Sequence, residues 1–274
     1  VGFAATMPLM RRRDPDPIDD PASHGMPGQA VLFPSRDTTI LGGWWIPTLE
    51  NPRGTIIMCP GQNGSLDKDM PQAVPLHQAG FNVLMFDFRG HGRSEGQIVT
   101  IGALEQADLF GAVDYVTVKH KADRIGVLGF SMGAGVALMV AAQDQRIKTL
   151  VVDGAYPRLS GLLANYMRIN GIPRLLGDVM AWLVLIVGSL RTQYQLFRAN
   201  PADLADRIMA PTLFIHGDDD PFLTPEEIEA LVAQIPGETD LWCVAEAGHR
   251  DAYTNHPDEY NRRVVAWFEQ HLEG

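Results

Sequence analysis

Short apolar runs alternate with helix-patterned segments along most of this chain, and the alternation predicts the order of its elements. An apolar run bounded by Gly, Pro or polar residues is typical of a strand buried on both faces of a sheet, whereas apolar residues three or four positions apart predict an amphipathic helix. Strands are predicted at 29–34, 39–47, 54–60, 81–86, 124–128, 148–152, 211–216 and 240–245, and helices at 70–79, 101–119, 134–142, 225–234 and 257–272. Because strands and helices mostly alternate, we expect an α/β fold with an eight-stranded, mostly parallel, doubly wound sheet flanked by helices.

The alternation breaks between residues 155 and 200, where apolar residues recur mostly at helical spacing. The apolar stretch 175–190 is too short for a comfortable membrane span, and Asp178 and Gly188 interrupt it. We therefore expect a single domain over 29–274 with a helical insertion at about 155–200. Functional residues of doubly wound sheets lie at the carboxyl ends of the strands, so the insertion is expected to form a cap over that edge.

Residues 1–28 are predicted to form an N-terminal arm or linker. Residues 1–10 are mostly apolar and are followed by three arginines at 11–13. A signal peptide places its positive charge before its apolar part, so this order is wrong for one. The order would suit the end of a membrane anchor missing from this chain, with the arginines on the cytoplasmic side; an irregular arm is the alternative. We accordingly expect a cytoplasmic protein, with membrane association through a missing N-terminal segment as an option.

The composition fits a well-packed globular protein and excludes a nucleic-acid partner. The 274 residues are 46% hydrophobic and 20% charged, with 22 basic residues against 33 acidic ones and a net charge of −11. No spacing typical of metal ligands is evident. The two cysteines, Cys59 and Cys243, lie in predicted strands and are expected to be buried free thiols.

The segment 129–133, Gly-Phe-Ser-Met-Gly, fits the pattern G-x-S-x-G and lies between a predicted strand and a predicted helix. In this context the motif predicts a nucleophile elbow, a sharp turn that exposes the Ser131 hydroxyl above the sheet. The alternative is a Gly-rich connection whose serine only caps the helix. The flanking strand and helix favour the elbow, and Ser131 is therefore the candidate nucleophile.

A serine nucleophile needs a histidine that accepts its proton and a carboxylate that orients the histidine. His249 follows the last predicted strand, at the carboxyl edge where the base is needed. Asp220 follows the preceding strand and is the preferred acid, and Asp153, at the end of the strand after the elbow helix, is its competitor. The order Ser131, Asp220, His249 is the one that accompanies the elbow motif.

The negative oxygen of a tetrahedral intermediate needs N–H donors that are already in place. The Met132 amide is predicted as one donor, because it lies at the start of the helix after the serine. The second is expected from the loop after the third strand, with the Gln62 amide preferred.

With these residues identified, the chain resembles the α/β-hydrolase superfamily, in its esterase, lipase and serine-peptidase-like branch. The resemblance covers residue 29 to the C-terminus and rests on GFSMG, DFRGHGRS, HGDDDP and AGH. It implies the α/β-hydrolase fold. The oxyanion loop of the family usually begins His-Gly, whereas this chain has Pro60-Gly61. The Arg-Gly-His-Gly run at 89–92 is interpreted as structural.

The expected function is that of a serine hydrolase, specifically a carboxylesterase that cleaves small to medium acyl esters without a cofactor. Thioesterase, amidase or peptidase chemistry would use the same residues, and a non-catalytic protein that binds a ligand or partner is the alternative from another class. The inner face of the cap is predicted to line the acyl pocket, with Tyr166, Met167, Trp182 and Ile186 as candidates. The sequence leaves the oligomeric state open.

Overall fold

Eight strands form one mixed sheet in the computed structural model, which describes residues 10–48 and 51–272. The strands are β1 (Gln29–Pro34), β2 (Ile40–Ile46), β3 (Thr55–Cys59), β4 (Asn82–Phe86), β5 (Ile125–Phe130), β6 (Ile147–Asp153), β7 (Thr212–Gly217) and β8 (Thr239–Val244). Their spatial order is β1-β2-β4-β3-β5-β6-β7-β8. The pairs β1–β2 and β2–β4 are antiparallel and all later pairs are parallel. The predicted α/β fold, with its eight-stranded and mostly parallel sheet, is confirmed.

Helices cover both faces of the sheet and bury its central strands completely. They are α1 (Met70–Gln78), α2 (Glu105–His120), α3 (Met132–Ala141), α4 (Leu159–Ile169), α5 (Arg174–Thr192), α6 (Pro225–Val232), α7 (Ala252–Asn255) and α8 (Pro257–Leu272). Every residue of β3 and β5 is buried, as expected for parallel strands with helices on both sides. The apolar core therefore lies in two layers, one on each face of the sheet.

The helices α4 and α5 lie between β6 and β7, where the sequence predicts an insertion. They pack on each other through the small residues of α5: a Cβ on Gly177 would lie 3.5 Å from the Ala164 carbonyl oxygen. At the other end of α5, Gly188 leaves room for Leu196 and Met10. These two helices are called the insertion helices below.

The described part of the N-terminal arm, residues 10–28, lies along the domain surface. The Arg12 guanidinium donates to three backbone carbonyl oxygens, those of Gly92, Ser94 and Gly96, at 2.7–2.9 Å. Further along, Asp16 accepts from the Ser65 amide at 2.7 Å. The arm thereby fixes the loops that follow β3 and β4.

Both cysteines are free thiols, as expected, but the prediction that both are buried is wrong for Cys243. Cys59 is buried in β3, whereas Cys243 is exposed. The reason is that Cys243 lies on β8, the edge strand, where only one side of the strand is covered.

Candidate active site

The turn between β5 and α3 holds Ser131 at a backbone φ of 50° and ψ of −110°. A non-glycine residue adopts a positive φ under strain, so the surrounding packing must hold it there. A Cβ on Gly129 would lie 2.6 Å from the Gly133 carbonyl oxygen, and one on Gly133 would overlap the Cys59 carbonyl oxygen. The Ser131 amide donates to the Asp153 carbonyl oxygen at 2.8 Å. Close packing therefore requires both glycines, and the Ser131 hydroxyl makes no helix-capping hydrogen bond.

Three side chains from three loops at the carboxyl edge of the sheet form a continuous hydrogen-bonded line. Ser131 Oγ lies 2.8 Å from His249 Nε2, and His249 Nδ1 lies 2.6 Å from Asp220 Oδ2. The Asp220 side chain is 1% exposed and that of His249 is 18% exposed. With the imidazole proton on Nδ1, the carboxylate fixes the ring and leaves Nε2 to accept the serine proton.

The turn after β7 selects Asp220 among three consecutive aspartates. The amides of Asp218 and Asp219 donate to the Val244 and Ala247 carbonyl oxygens at 3.1 and 3.0 Å, and both side chains face solvent. Asp220 is buried, and its Oδ1 accepts from the Phe222 amide at 2.8 Å. The first two aspartates therefore form the turn, and the third points into the site.

Asp153, the competing acid, has a different partner. Its Oδ2 accepts from the Tyr260 hydroxyl at 3.1 Å in a fully buried position. Burial raises the pKa of Asp153 to about 6, even though Arg250, Tyr260 and His249 act to lower it. The geometry therefore favours Asp220 over Asp153 as the residue that orients His249.

Arg250, which the sequence analysis missed, lies beneath the site. Its Nη2 donates to Asp69 Oδ1 at 2.6 Å, and its guanidinium stacks 4.2 Å from the centroid of the Phe130 ring. Burial acts to lower the pKa of Arg250, but the charges of Asp69 and Asp153 outweigh it and raise that pKa. This buried ion pair joins the start of α1 to the loop that carries His249.

The proposed oxyanion donors lie on two elements that flank Ser131. Met132 is the first residue of α3, where an amide has no acceptor within the helix and the helix dipole favours negative charge. A Cβ on Gly61 would lie 3.6 Å from the Ser131 Cβ, so the loop after β3 is adjacent to the nucleophile. The Gln62 carbonyl oxygen lies 2.8 Å from His91 Nε2. The role of the Gln62 amide stays a prediction.

The loop 87–94 packs against the loop that follows β3. His91 is fully buried, and its Nδ1 lies 2.8 Å from the Arg89 carbonyl oxygen. Arg89 pairs with Asp108 at 2.6 Å, and Arg93 makes two hydrogen bonds of 2.7 Å to Asp67. These contacts agree with a structural interpretation of the Arg-Gly-His-Gly run.

The four candidate pocket residues are not on one surface. Tyr166 is half exposed and stacks on Phe222, with ring centroids 6.4 Å apart. Phe222 in turn contacts His249 edge-on, with centroids 5.1 Å apart. Met167 is buried between the two insertion helices, where a Cβ on Gly177 would lie 3.6 Å from the Met167 Cβ. Tyr166 is therefore the candidate that the structure connects, through Phe222, to His249.

Trp182 and Ile186 lie on the exposed side of α5, away from its packed residues, and their role in lining the acyl pocket stays a prediction. Both side chains are about half exposed, whereas the buried residues of α5 are Gly177, Ala181, Val184, Leu185 and Gly188. The physical reason is that α5 is apolar on both faces. Its small residues allow the close helix contact, and its large residues are left outside.

Two further residues at the site carry no motif that could have indicated them. Gly154, at a φ of 70°, faces the His249 imidazole: a Cβ there would lie 2.9 Å from His249 Cε1. Phe222 packs on the same ring from another direction. The only signal for Gly154 is its position directly after Asp153 at the end of β6.

Comparison with known proteins connects this geometry to a family. A family model described as alpha/beta hydrolase fold matches residues 54–184. The uncharacterized protein YfhR of Salmonella typhimurium is 29% identical over 245 residues, which cover 82% of this chain and 76% of YfhR. The uncharacterized protein YqkD of Bacillus subtilis is 27% identical over 244 residues, or 86% of this chain and 77% of YqkD.

A solved structure matches nearly the whole chain. The Pyrococcus furiosus esterase Pf2001 superimposes with a TM-score of 0.79 at 26% identity, covering 96% of this chain and 98% of the esterase.

Proposed function

Since this chain belongs to the α/β-hydrolase superfamily, we propose that it is a serine hydrolase, specifically a carboxylesterase that cleaves small to medium acyl esters through an acyl-enzyme intermediate. The observation that carries the proposal is the hydrogen-bonded line from Ser131 through His249 to Asp220, which starts at a strained serine. The similarity to an esterase over almost the full length supports the choice of ester chemistry.

In the first half of the reaction, Ser131 Oγ attacks the ester carbonyl carbon while His249 Nε2 takes the hydroxyl proton. Asp220 stabilises the imidazolium that forms. The Met132 and Gln62 amides donate to the negative oxygen of the tetrahedral intermediate. When the intermediate collapses, the carbon–oxygen bond to the alcohol breaks, and His249 returns the proton to the leaving oxygen.

In the second half, a water molecule replaces the alcohol. His249 accepts a proton from the water as the water oxygen attacks the acyl carbon, and the second intermediate releases the carboxylic acid and restores the Ser131 hydroxyl. We propose that the acyl group lies beside Phe222 and Tyr166. Phe222 contacts the His249 imidazole, and Tyr166, on α4, stacks on Phe222.

Thioesterase, amidase and peptidase activity would use the same groups, and they differ in the leaving atom that His249 must protonate. A non-catalytic binding protein is the alternative from another class. The intact line of three hydrogen-bonded side chains opposes that alternative, because a site that only binds ligands has no need for a strained serine next to a histidine–aspartate pair.

Hydrolysis of p-nitrophenyl esters from acetate to laurate, beside matched thioesters and amides, tests the proposal. We expect the esters to be the best substrates and Ser131→Ala to abolish turnover without a change in melting temperature. Tyr166→Ala should change the preference among acyl chain lengths, measured as the ratio of kcat/KM between esters. The change should correspond to about 1–3 kcal/mol for each methylene group that packs well on the ring, and Trp182→Ala is the control. Turnover by Ser131→Ala near the parent rate would contradict the mechanism.

A further inference from the structure

The outer face of α5 is a continuous apolar surface exposed to solvent. At 100° per residue, its large exposed side chains fall within an arc of about 120°, opposite the buried small residues. Their exposures range from 46% for Leu183 to 80% for Leu175. This surface, called the α5 face below, consists of Leu175, Leu176, Val179, Trp182, Leu183, Ile186 and Leu190. A surface of this extent on a soluble domain marks an interaction site.

The charge around the α5 face is opposite in sign to that of the rest of the protein. Residues 155–200 contain five arginines and a single acid, Asp178, which gives +4 in a chain whose net charge is −11. Arg158 is paired with Asp203 at 2.7 Å. The other four arginines lie at the ends of the insertion helices and in the turn that follows them: Arg168, Arg174, Arg191 and Arg198. A helix that has an exposed apolar face and arginines at both ends, with aromatic side chains nearby, is typical of a helix that lies in a membrane interface.

The described structure begins at Met10, which lies on the packed side of α5 near the C-terminal end of that helix. Met10 is buried, and a Cβ on Gly188 would lie 3.1 Å from its Sδ, so the first described residue packs against α5. The nine residues before Met10 contain no charged side chain in the sequence. An uncharged, mostly apolar segment of the sequence therefore precedes the residue that packs at the C-terminal end of α5.

We propose that the α5 face docks the protein on the surface of an anionic lipid bilayer, with the helix axis parallel to the membrane plane. Among the described helices, α5 alone is long and apolar enough to cross a membrane, by length and composition. However, its buried side packs on α4, and Leu196 and Met10 pack at its C-terminal end. Both ends therefore remain attached to the domain, and the helix lies on the bilayer.

A second copy of the chain fits the α5 face less well than a bilayer does. A twofold dimer through this face would bring the arginines at the ends of the insertion helices of two copies towards each other, which costs free energy. An anionic bilayer supplies both the apolar interior for the leucines and the negative charge for the arginines. Docking would also bring acyl chains close to Tyr166, which leads through Phe222 to the triad.

Vesicle flotation tests this proposal independently of the proposed activity, because Ser131→Ala protein can be used. The vesicles contain phosphatidylcholine alone or equal parts of phosphatidylcholine and phosphatidylglycerol. The protein should float with the anionic vesicles, and Leu175→Glu/Leu190→Glu should lower its partition coefficient by at least about 100-fold. Val118→Glu/Met209→Glu, which changes two equally exposed apolar residues elsewhere, should float like the parent.

A second pair of substitutions tests the charge. Arg174→Gln/Arg198→Gln should weaken binding to anionic vesicles by about fivefold per arginine and leave hydrolysis of a soluble acetate ester unchanged. Failure of the parent protein to float, or equal flotation of the two glutamate pairs, would overturn the proposal. A parent dimer that Leu175→Glu/Leu190→Glu converts to a monomer, without vesicle binding, would assign the α5 face to a second copy instead. A changed kcat/KM of the Leu175→Glu/Leu190→Glu variant on soluble esters would instead assign the α5 face to the substrate cleft.

Discussion

Gly154→Ala should impair catalysis by displacing His249, although residue 154 itself has no chemical group that reacts. The new Cβ would lie 2.9 Å from His249 Cε1, about 0.5 Å short of the 3.4 Å at which ordinary contact begins. Cε1 lies between the two ring nitrogens, so moving it disturbs both the 2.8 Å contact with Ser131 and the 2.6 Å contact with Asp220. Since a misplacement of about 1 Å can cost about 100-fold, we expect kcat to fall by roughly 10- to 100-fold.

The same substitution also carries a backbone cost, which a matched control isolates. Gly154 and Gly25 have φ values of 70° and 72°, and a Cβ on Gly25 meets nothing within 4 Å. Because an alanine in the left-handed backbone region is strained, both variants should lose about 1–2 kcal/mol of unfolding free energy. Gly154→Ala should lose more than this, because its Cβ also contacts His249. Only Gly154→Ala should lose kcat on p-nitrophenyl acetate. Equal activity of the two variants, with both folded, would refute the inference that Gly154 makes room for the imidazole.

Three further predictions concern the carboxylates and the arginine around the triad. Asp220→Asn should lower kcat by about 10⁴ and Asp153→Asn by much less; the reverse ranking in ester hydrolysis would make Asp153 the orienting acid. Arg250→Met should lower the free energy of unfolding in urea by about 3–5 kcal/mol, because Asp69 is left buried without its partner, and a loss below about 1 kcal/mol would contradict that account. Burial raises the pKa of Asp153 from 3.8 to about 6, so the folded state binds the carboxyl proton more tightly than the unfolded state does. The contribution of Asp153 to the free energy of unfolding therefore falls as the pH rises from about 4 through 6. Asp153→Asn should therefore gain stability relative to the parent between about pH 4 and pH 7, and a difference that does not vary with pH would show that Asp153 is ionised throughout.

The positions of Ser131, Asp220 and His249 could be predicted because strand order and chain direction determine where loops meet. Each residue follows a buried strand whose apolar run is visible in the sequence, and the ends of parallel strands converge at one edge. The roles of Gly154 and Arg250 could not be predicted in this way. Each depends on a partner that is distant in the chain, His249 for the glycine and Asp69 for the arginine.

The orientation of α5 could not be predicted from apolar periodicity either. The large apolar side chains of α5 gather on the face that stays exposed, so apolar periodicity points away from the face that packs. Gly177, Ala181 and Gly188 allow close approach to the neighbouring segments, so the large side chains, Trp182 and Ile186 among them, lie outside. The small residues of α5 are therefore the better sequence signal for the face of this helix that packs.

The covalent reaction of Ser131 tests the central claim most directly. An alkyl fluorophosphonate reacts only with a serine whose hydroxyl an adjacent base has activated, so it reports the function of the Ser131–His249 pair and requires no knowledge of the natural substrate. Peptide mass spectrometry after treatment should locate a single adduct on Ser131, formed in step with the loss of esterase activity, and His249→Ala should slow its formation by orders of magnitude. A folded protein that forms no adduct, or one that forms it equally fast without His249, would contradict the account of this site as a serine hydrolase.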